Sequence, residues 1–114
     1  MAAHFEIDRS SDEQFIFRLK SGNGEIILSS ERYTTKQSCK NGIDSVKENA
    51  PDDERYEKKV AKSGEFYFNL KARNYEVIGT SETYTTESGR NNGIEAVKRD
   101  APNASTEDLT SEPA

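Results

Sequence analysis

The chain has 114 residues, 32% of them apolar and 32% charged, with a formal net charge of −5, one cysteine and one histidine. That length suits one domain with a thin core, and with no apolar run longer than three residues it excludes a membrane-spanning helix. A single cysteine excludes an internal disulfide, and the acidic balance disfavours indiscriminate binding to nucleic acid or anionic lipid.

The first residues, Met1-Ala2-Ala3-His4-Phe5-Glu6, carry neither a basic region nor a hydrophobic stretch. They do not read as a secretory signal, and with a lone cysteine the expected setting is cytoplasmic. A short leading strand is expected at Phe5–Ile7. Phe15, Phe17 and Leu19 then alternate with Ile16, Arg18 and Lys20, which predicts a strand with one buried face. Ser21-Gly22-Asn23-Gly24 reads as a hairpin turn, since Asn-Gly tolerates positive φ, and Glu25 to Ser29 is the returning strand. A helix follows. Thr34 with Gln37 three residues on fits a capping box, and Cys39, Ile43, Val46 and Ala50 fall on one helical face. Gly42 inside that helix costs about 0.5–1 kcal/mol relative to alanine and suggests close approach of helix to sheet. Pro51 closes the helix by restricting Ala50.

The same series then recurs at a constant offset of 51 residues. Phe66-Tyr67-Phe68-Asn69-Leu70-Lys71 matches residues 15–20, and Glu76-Val77-Ile78 matches Glu25-Ile26-Ile27. Ser81-Glu82-Thr83-Tyr84-Thr85-Thr86 matches residues 30–35, and Asn92-Gly93-Ile94 matches Asn41-Gly42-Ile43. Ala50-Pro51 and Ala101-Pro102 close both copies, and Tyr56–Val60 is the second leading strand. Two exchanges stand out: Gly79 for Leu28, and Arg90 for Cys39, which suggests that this helical position lies at the margin of the buried stripe. Residues 104–109 can add an edge strand, and 110–114 are expected to be a disordered tail.

One such unit exposes too much apolar surface to stand alone, and two that share a sheet do not. The expected fold is therefore α+β: two tandem ββ(β)α repeats, 5–52 and 56–103, within a single domain 1–109. They share one antiparallel sheet with two helices on one face, about a pseudo-twofold axis. The quoted strand, hairpin, Ser30–Thr35 and Asn41-Gly42-Ile43 motifs resemble the YegP-like family of small bacterial proteins, built from a domain of unknown function. The resemblance covers residues 5–109. It implies a sheet with strands exchanged between repeats and a bacterial intracellular setting. It brings no catalytic residue, cofactor or ligand.

Chemistry-bearing residues are sparse. His4 and Cys39 are single, whereas a zinc site needs about three or four ligands, so neither a metal nor a cofactor is expected. Cys39 on an apolar stripe is expected to be inert. The matched pairs Lys20 and Lys71, Glu31 and Glu82, and Tyr33 and Tyr84, with Tyr67, are the candidate binding surface. Each pair also has a structural reading: Lys20 and Lys71 as strand ends, Glu31 and Glu82 as charges before a helix N-terminus, and Tyr33 and Tyr84 as packing at a strand–helix corner.

The expected function is that of a monomeric, non-enzymatic module for a protein partner or small ligand, with its biological role unknown. The alternative is single-stranded nucleic-acid binding through the basic segment 55–73, where Tyr67 lies among Lys58, Lys59, Lys62 and Lys71. Overall acidity opposes that alternative. A hydrolase built on Glu31 and Glu82 has less support still.

Overall fold

The computed structural model describes residues 2–110. Strand β1 runs His4–Arg9, β2 Phe15–Lys20 and β3 Ile26–Ser29, and helix α1 spans Lys36–Asn49. A short 3-10 turn, Asp53–Arg55, leads to β4 Tyr56–Val60, β5 Phe66–Lys71, β6 Val77–Thr80 and helix α2 Glu87–Asp100. A second 3-10 turn, Ala101–Asn103, leads to β7, Ser105–Asp108. The fold is α+β, with one seven-stranded sheet in the order β4-β5-β6-β3-β2-β1-β7.

The alternation in β2 and β5 sets the two faces of the sheet. Phe17, Leu19, Phe68 and Leu70 are fully buried under the helices, while Arg18, Lys20, Asn69 and Lys71 lie half-buried on the other face. Each helix is capped by the second threonine of its Thr-Thr pair. Thr35 accepts from Ser38 N–H at 3.0 Å, and Thr86 from Gly89 N–H at 2.9 Å. Thr34 is therefore not the cap: the threonine one residue later has the extended backbone that lets its hydroxyl reach back to the third helical N–H.

Gly42 and Gly93 answer to the same contact in both repeats. A Cβ at Gly42 would overlap the Tyr33 ring, with Cζ at 2.8 Å, and one at Gly93 would overlap Tyr84, also at 2.8 Å. Tyr33 in turn stacks on Phe17 at 6.2 Å. The glycines thus let each tyrosine wedge between helix and sheet. Arg90 departs from expectation: it is buried at 7% exposure rather than marginal, its guanidinium lies 5.4 Å over the Phe66 ring, and its Nε has no hydrogen-bond partner. Its long stem fills apolar space that Cys39 fills in the first repeat, and the ring face accepts the charge.

The repeats meet at the centre of the sheet. Ser29 and Thr80, equivalent positions, pair across β3 and β6, so the pseudo-twofold axis passes between them. Next to it, a Cβ added at Gly79 would lie 2.6 Å from Leu28 Cδ2. Two leucines cannot occupy these equivalent sites at once, and one repeat carries glycine. Helix α1 packs on β2 of its own repeat and on β5 and β6 of the other, while α2 packs on β5 and β3. One hydrophobic cluster therefore draws on both copies.

Strand pairing is antiparallel throughout except at β7, which runs parallel to β1 from His4↔Ser105 to Ile7↔Asp108. The stretch 54–57, equivalent to 105–108, runs straight into β4 beside β5. The corresponding place beside β2 is already filled by β1, so Ser105–Asp108 adds outside it. In the expected tail, Thr110 hydrogen-bonds Asp108 through its N–H at 2.9 Å and its hydroxyl at 2.6 Å; residues 111–114 lie outside the described residues.

The axis packing is testable by exchange. Gly79→Ala is expected to cost about 1–3 kcal/mol by overpacking against Leu28, and Leu28→Gly to cost more. Gly79→Leu should cost more than Gly79→Ala, and the double variant Leu28→Gly/Gly79→Leu should be more stable to urea than the sum of the Leu28→Gly and Gly79→Leu losses allows. Simple additivity of the two losses would show that the positions do not share one space.

Candidate functional site

The face of the sheet opposite the helices carries ion pairs on both of its flanks. On one flank Lys20 Nζ lies 2.9 Å from Glu6 Oε1, and on the other Lys71 Nζ lies 3.1 Å from Glu57 Oε1. These are the same pair in the two repeats. Lys59 also reaches Glu57 at 3.6 Å, and Arg18 reaches Asp8 at 3.7 Å. At the centre Thr80 Oγ1 donates to Asn69 Oδ1 at 2.9 Å. Matched positions Ile16 and Tyr67 stand half-buried on this face.

Glu6 is the most enclosed of these carboxylates, at 9% exposure. Besides Lys20 it takes a hydrogen bond from His4 Nε2 at 2.9 Å, and Glu107 of β7 lies 3.9 Å from the same nitrogen. Hydrogen bonds from Lys20 and then His4 hold Glu6 below the ordinary carboxylate range. The Glu6 carboxylate in turn raises His4 above its usual value. His4, Glu6 and Glu107 offer ligand atoms within 4.8 Å of one another. Lys20 already supplies positive charge to Glu6, so the group acts as an ion-pair network tying β1 to β2 and β7. On the helix side of the sheet Lys36 Nζ clasps Asp108 at 2.8 Å and, with Thr110, lowers that carboxyl to about 2.

The sequence-derived candidates do not converge. Lys20 and Lys71 share the open face, but β3 and β6 stand between their strands, a separation of about 14 Å. Tyr67 lies on that face opposite Lys59 in the β4–β5 register. Glu31 and Glu82 are exposed on the two loops that enter the helices. What holds those loops is the preceding serine. Ser30 Oγ accepts from Phe17 N–H at 2.9 Å and donates to the Glu31 carbonyl at 2.6 Å, and Ser81 does the same for Phe68 and Glu82. Tyr33 and Tyr84 are wedges against Gly42 and Gly93, their hydroxyls raised above the usual range by burial. Glu82, Thr83 and Tyr84 face Glu25, Ile26 and Ile27 of the other repeat across an open cleft of about 460 Å³.

Cys39 is fully buried, and burial pushes its thiol up to about 11, so the nucleophilic thiolate is scarce at neutral pH. It sits in α1 on the covered face, whereas His4 points to the open one. Residues the sequence reading passed over are Glu6, Glu57, Ser30 and Ser81. Each pair was visible in the 51-residue match, but nothing in a lone glutamate or serine distinguishes a partner of lysine from a solvated side chain.

The family described as "Domain of unknown function (DUF1508)" matches the chain twice, at residues 10–57 and 61–108. The UPF0339 protein YegP of Escherichia coli K12 is 53% identical over 110 residues, which cover 96% of this chain and 100% of that one. A UPF0339 protein of Acinetobacter baylyi is 53% identical over 110 residues, 96% of this chain and 99% of its own. The solution NMR structure of Escherichia coli yegP superposes with a TM-score of 0.91 at 51% identity, covering 99% of this chain and 97% of that one. That of a Shewanella oneidensis UPF0339 protein gives 0.90 at 48% identity, covering 98% and 95%.

The single histidine makes the Glu6 network measurable. Because His4 is raised in the fold, its contribution is fully present below its unfolded value near 6.5 and is lost as pH rises through the folded value. Glu6 is lowered, so its contribution is present above its unfolded value near 4.5 and is lost as pH falls through the folded one. The two coincide between roughly pH 4.5 and 6.5. An NMR titration of the His4 ring should give a midpoint above 6.5, and Glu6→Gln should return it towards that value. An unshifted midpoint in the native chain would dissolve the network.

Proposed function

The chain belongs to the DUF1508 family, in tandem form, and we propose that it is a non-enzymatic module that holds a polypeptide partner on the open face of its sheet. The observation that carries this reading is the composition of that face. Both helices cover the other side. Here the half-buried Ile16 and Tyr67 remain among side chains whose charges are paired within the sheet: Glu6 with Lys20, Glu57 with Lys71, Asp8 with Arg18. Pre-paired charges lower the desolvation cost of covering such a surface, and a broad pleated face suits a macromolecule better than a small ligand, which needs a concave site. The non-enzymatic part of the reading rests on the dispersion of the candidate groups. Glu31 and Glu82 sit on separate exposed loops, and the Cys39 thiol is buried. No helix among the described residues is long and apolar enough to cross a membrane.

One observation favours a second reading. Tyr67 faces Lys59 across β4–β5, an aromatic ring beside a cation on an open sheet, as in single-strand binders.

One comparison separates the two. Cross-linking pull-down from native bacterial lysate uses the full chain and an Ile16→Asp/Tyr67→Asp variant whose circular dichroism and melting temperature match the parent. The proposal expects a protein retained by the parent and lost from the variant. Binding of single-stranded RNA or DNA near 50 mM salt, the permissive condition for counterion-driven contacts, would replace it with the second reading. Capture of the same proteins by both forms, or catalytic turnover in a substrate screen, would overturn it.

A further inference from the structure

Strands β1 and β4 are equivalent by repeat symmetry and differ in what lies on their outer side. At one edge β1 is covered by Ser105–Asp108, and Leu109 N–H donates to the Ile7 carbonyl at 2.8 Å. At the other edge β4 pairs with β5 alone, so its outer N–H and carbonyl groups carry no strand. The counterpart of Ile7 there is Lys58, and Val60 beyond it is 60% exposed. Next to this free edge runs a groove of about 490 Å³ between β4 and α2, lined by Tyr56, Asn91 and Ile94 with Lys58, Lys98, Asp53 and Glu95; Asp53 and Glu95 both lie on Lys98, which leaves Lys58 as its unengaged charge. Its counterpart, beside β1 and α1, is about 400 Å³ and is walled in part by Thr106 and Asp108 of β7 itself.

We propose that the β4 edge accepts an extended acidic segment of another protein as a parallel eighth strand, in the register that Ser105–Asp108 takes on β1. Charge placement identifies this occupant. On the covered edge Asp108 lies opposite Ile7 and finds its cation on the helix, at Lys36. On the free edge the helix position equivalent to Lys36 is Glu87, and the cation stands on the strand itself, at Lys58. A carboxylate in the Asp108 register therefore meets Lys58. Among the described residues Lys58 and Lys62 have no carboxylate partner, whereas Lys59 and Lys71 are engaged by Glu57, and Lys98 by Asp53 and Glu95. The same lysines oppose a second copy: antiparallel β4–β4 pairing centred on the edge brings the two Lys58 side chains together, the repulsion by which charged edges discourage self-association. Strand addition supplies main-chain hydrogen bonds, and the side-chain register supplies selectivity. The surface is distinct from the open face, and either can hold without the other.

The probe is the chain's own covering strand supplied in trans, a capped peptide Ala-Ser-Thr-Glu-Asp-Leu-Thr, titrated at low salt into the ¹⁵N-labelled full chain. Saturable shifts centred on residues 55–58, the equivalents of His4–Ile7, and reaching Asn91, Ile94 and Lys98, with slowed amide exchange in β4, support the proposal. Lys58→Glu should weaken binding about tenfold or more, Lys58→Arg should keep it, and a peptide with lysine in place of both acidic residues should not bind. Shifts at His4–Ile7 instead would mean that the peptide displaces β7, and would overturn the proposal. So would shifts on the open face, no shifts at all, or concentration-dependent β4 shifts without peptide, which would make a second copy the occupant.

Discussion

Leu28 lies in the space that a side chain at Gly79 would need, and the fold depends on that exclusion. A chain that repeats itself at a fixed offset brings equivalent residues together wherever it folds about a twofold axis. Large side chains on the axis would clash, and two small ones would leave a cavity. Here Ser29 meets Thr80 on the axis, and the neighbouring pair is one large and one absent side chain. That asymmetry lets β3 and β6 pair, which joins two three-stranded units into one sheet. Only then can α1 lie over strands of both repeats, and only then do Phe17, Leu19, Phe68 and Leu70 all reach full burial. With 32% apolar residues the chain could not supply two separate cores.

The same asymmetry runs outward to the edges, where it bears on function. Near the axis the repeats differ by single side chains, Leu28 against Gly79 and Ser29 against Thr80, and at the margins they differ by a whole strand. Ser105–Asp108 covers β1, is tied by Lys36 through Asp108, and approaches His4 through Glu107, while β4 is left bare with Lys58 where Ile7 is buried. The open face keeps one element of the symmetry, since Glu6–Lys20 and Glu57–Lys71 are the same ion pair twice, while Asp8 and Arg18 of the first repeat become Lys59 and Asn69 in the second. The two copies thus share one ion pair on the open face and differ in the chemistry of β1 and β4.

Much of this was legible in the residues and the rest was not, for physical reasons. Period-two burial in β2 and β5, the helical stripe of Cys39, Ile43 and Val46, and the shared sheet follow from patterns that persist through both copies. The cap did not, because two adjacent threonines offer the same hydroxyl and only the fold shows which one precedes the first helical residue. Arg90 was misplaced because arginine reads as a surface residue unless an aromatic face such as Phe66 accepts its guanidinium. The parallel direction of β7 depends on which place beside β2 is already filled, a fact of topology rather than of local sequence. Among the candidate residues, the lysines and tyrosines were placed in sensible elements. That Lys20 and Lys71 are held by Glu6 and Glu57, and that Glu31 and Glu82 lie apart on separate loops, required the fold.

The claim on which the rest stands is that the two repeats are one cooperative structure. Urea unfolding followed residue by residue in ¹⁵N correlation spectra tests it directly. The account predicts that amides of Phe17, Leu19 and Val46 and those of Phe68, Leu70 and Val97 lose native intensity at a common midpoint with a common slope. Separate midpoints for the two sets, with one repeat still native while the other has unfolded, would contradict it.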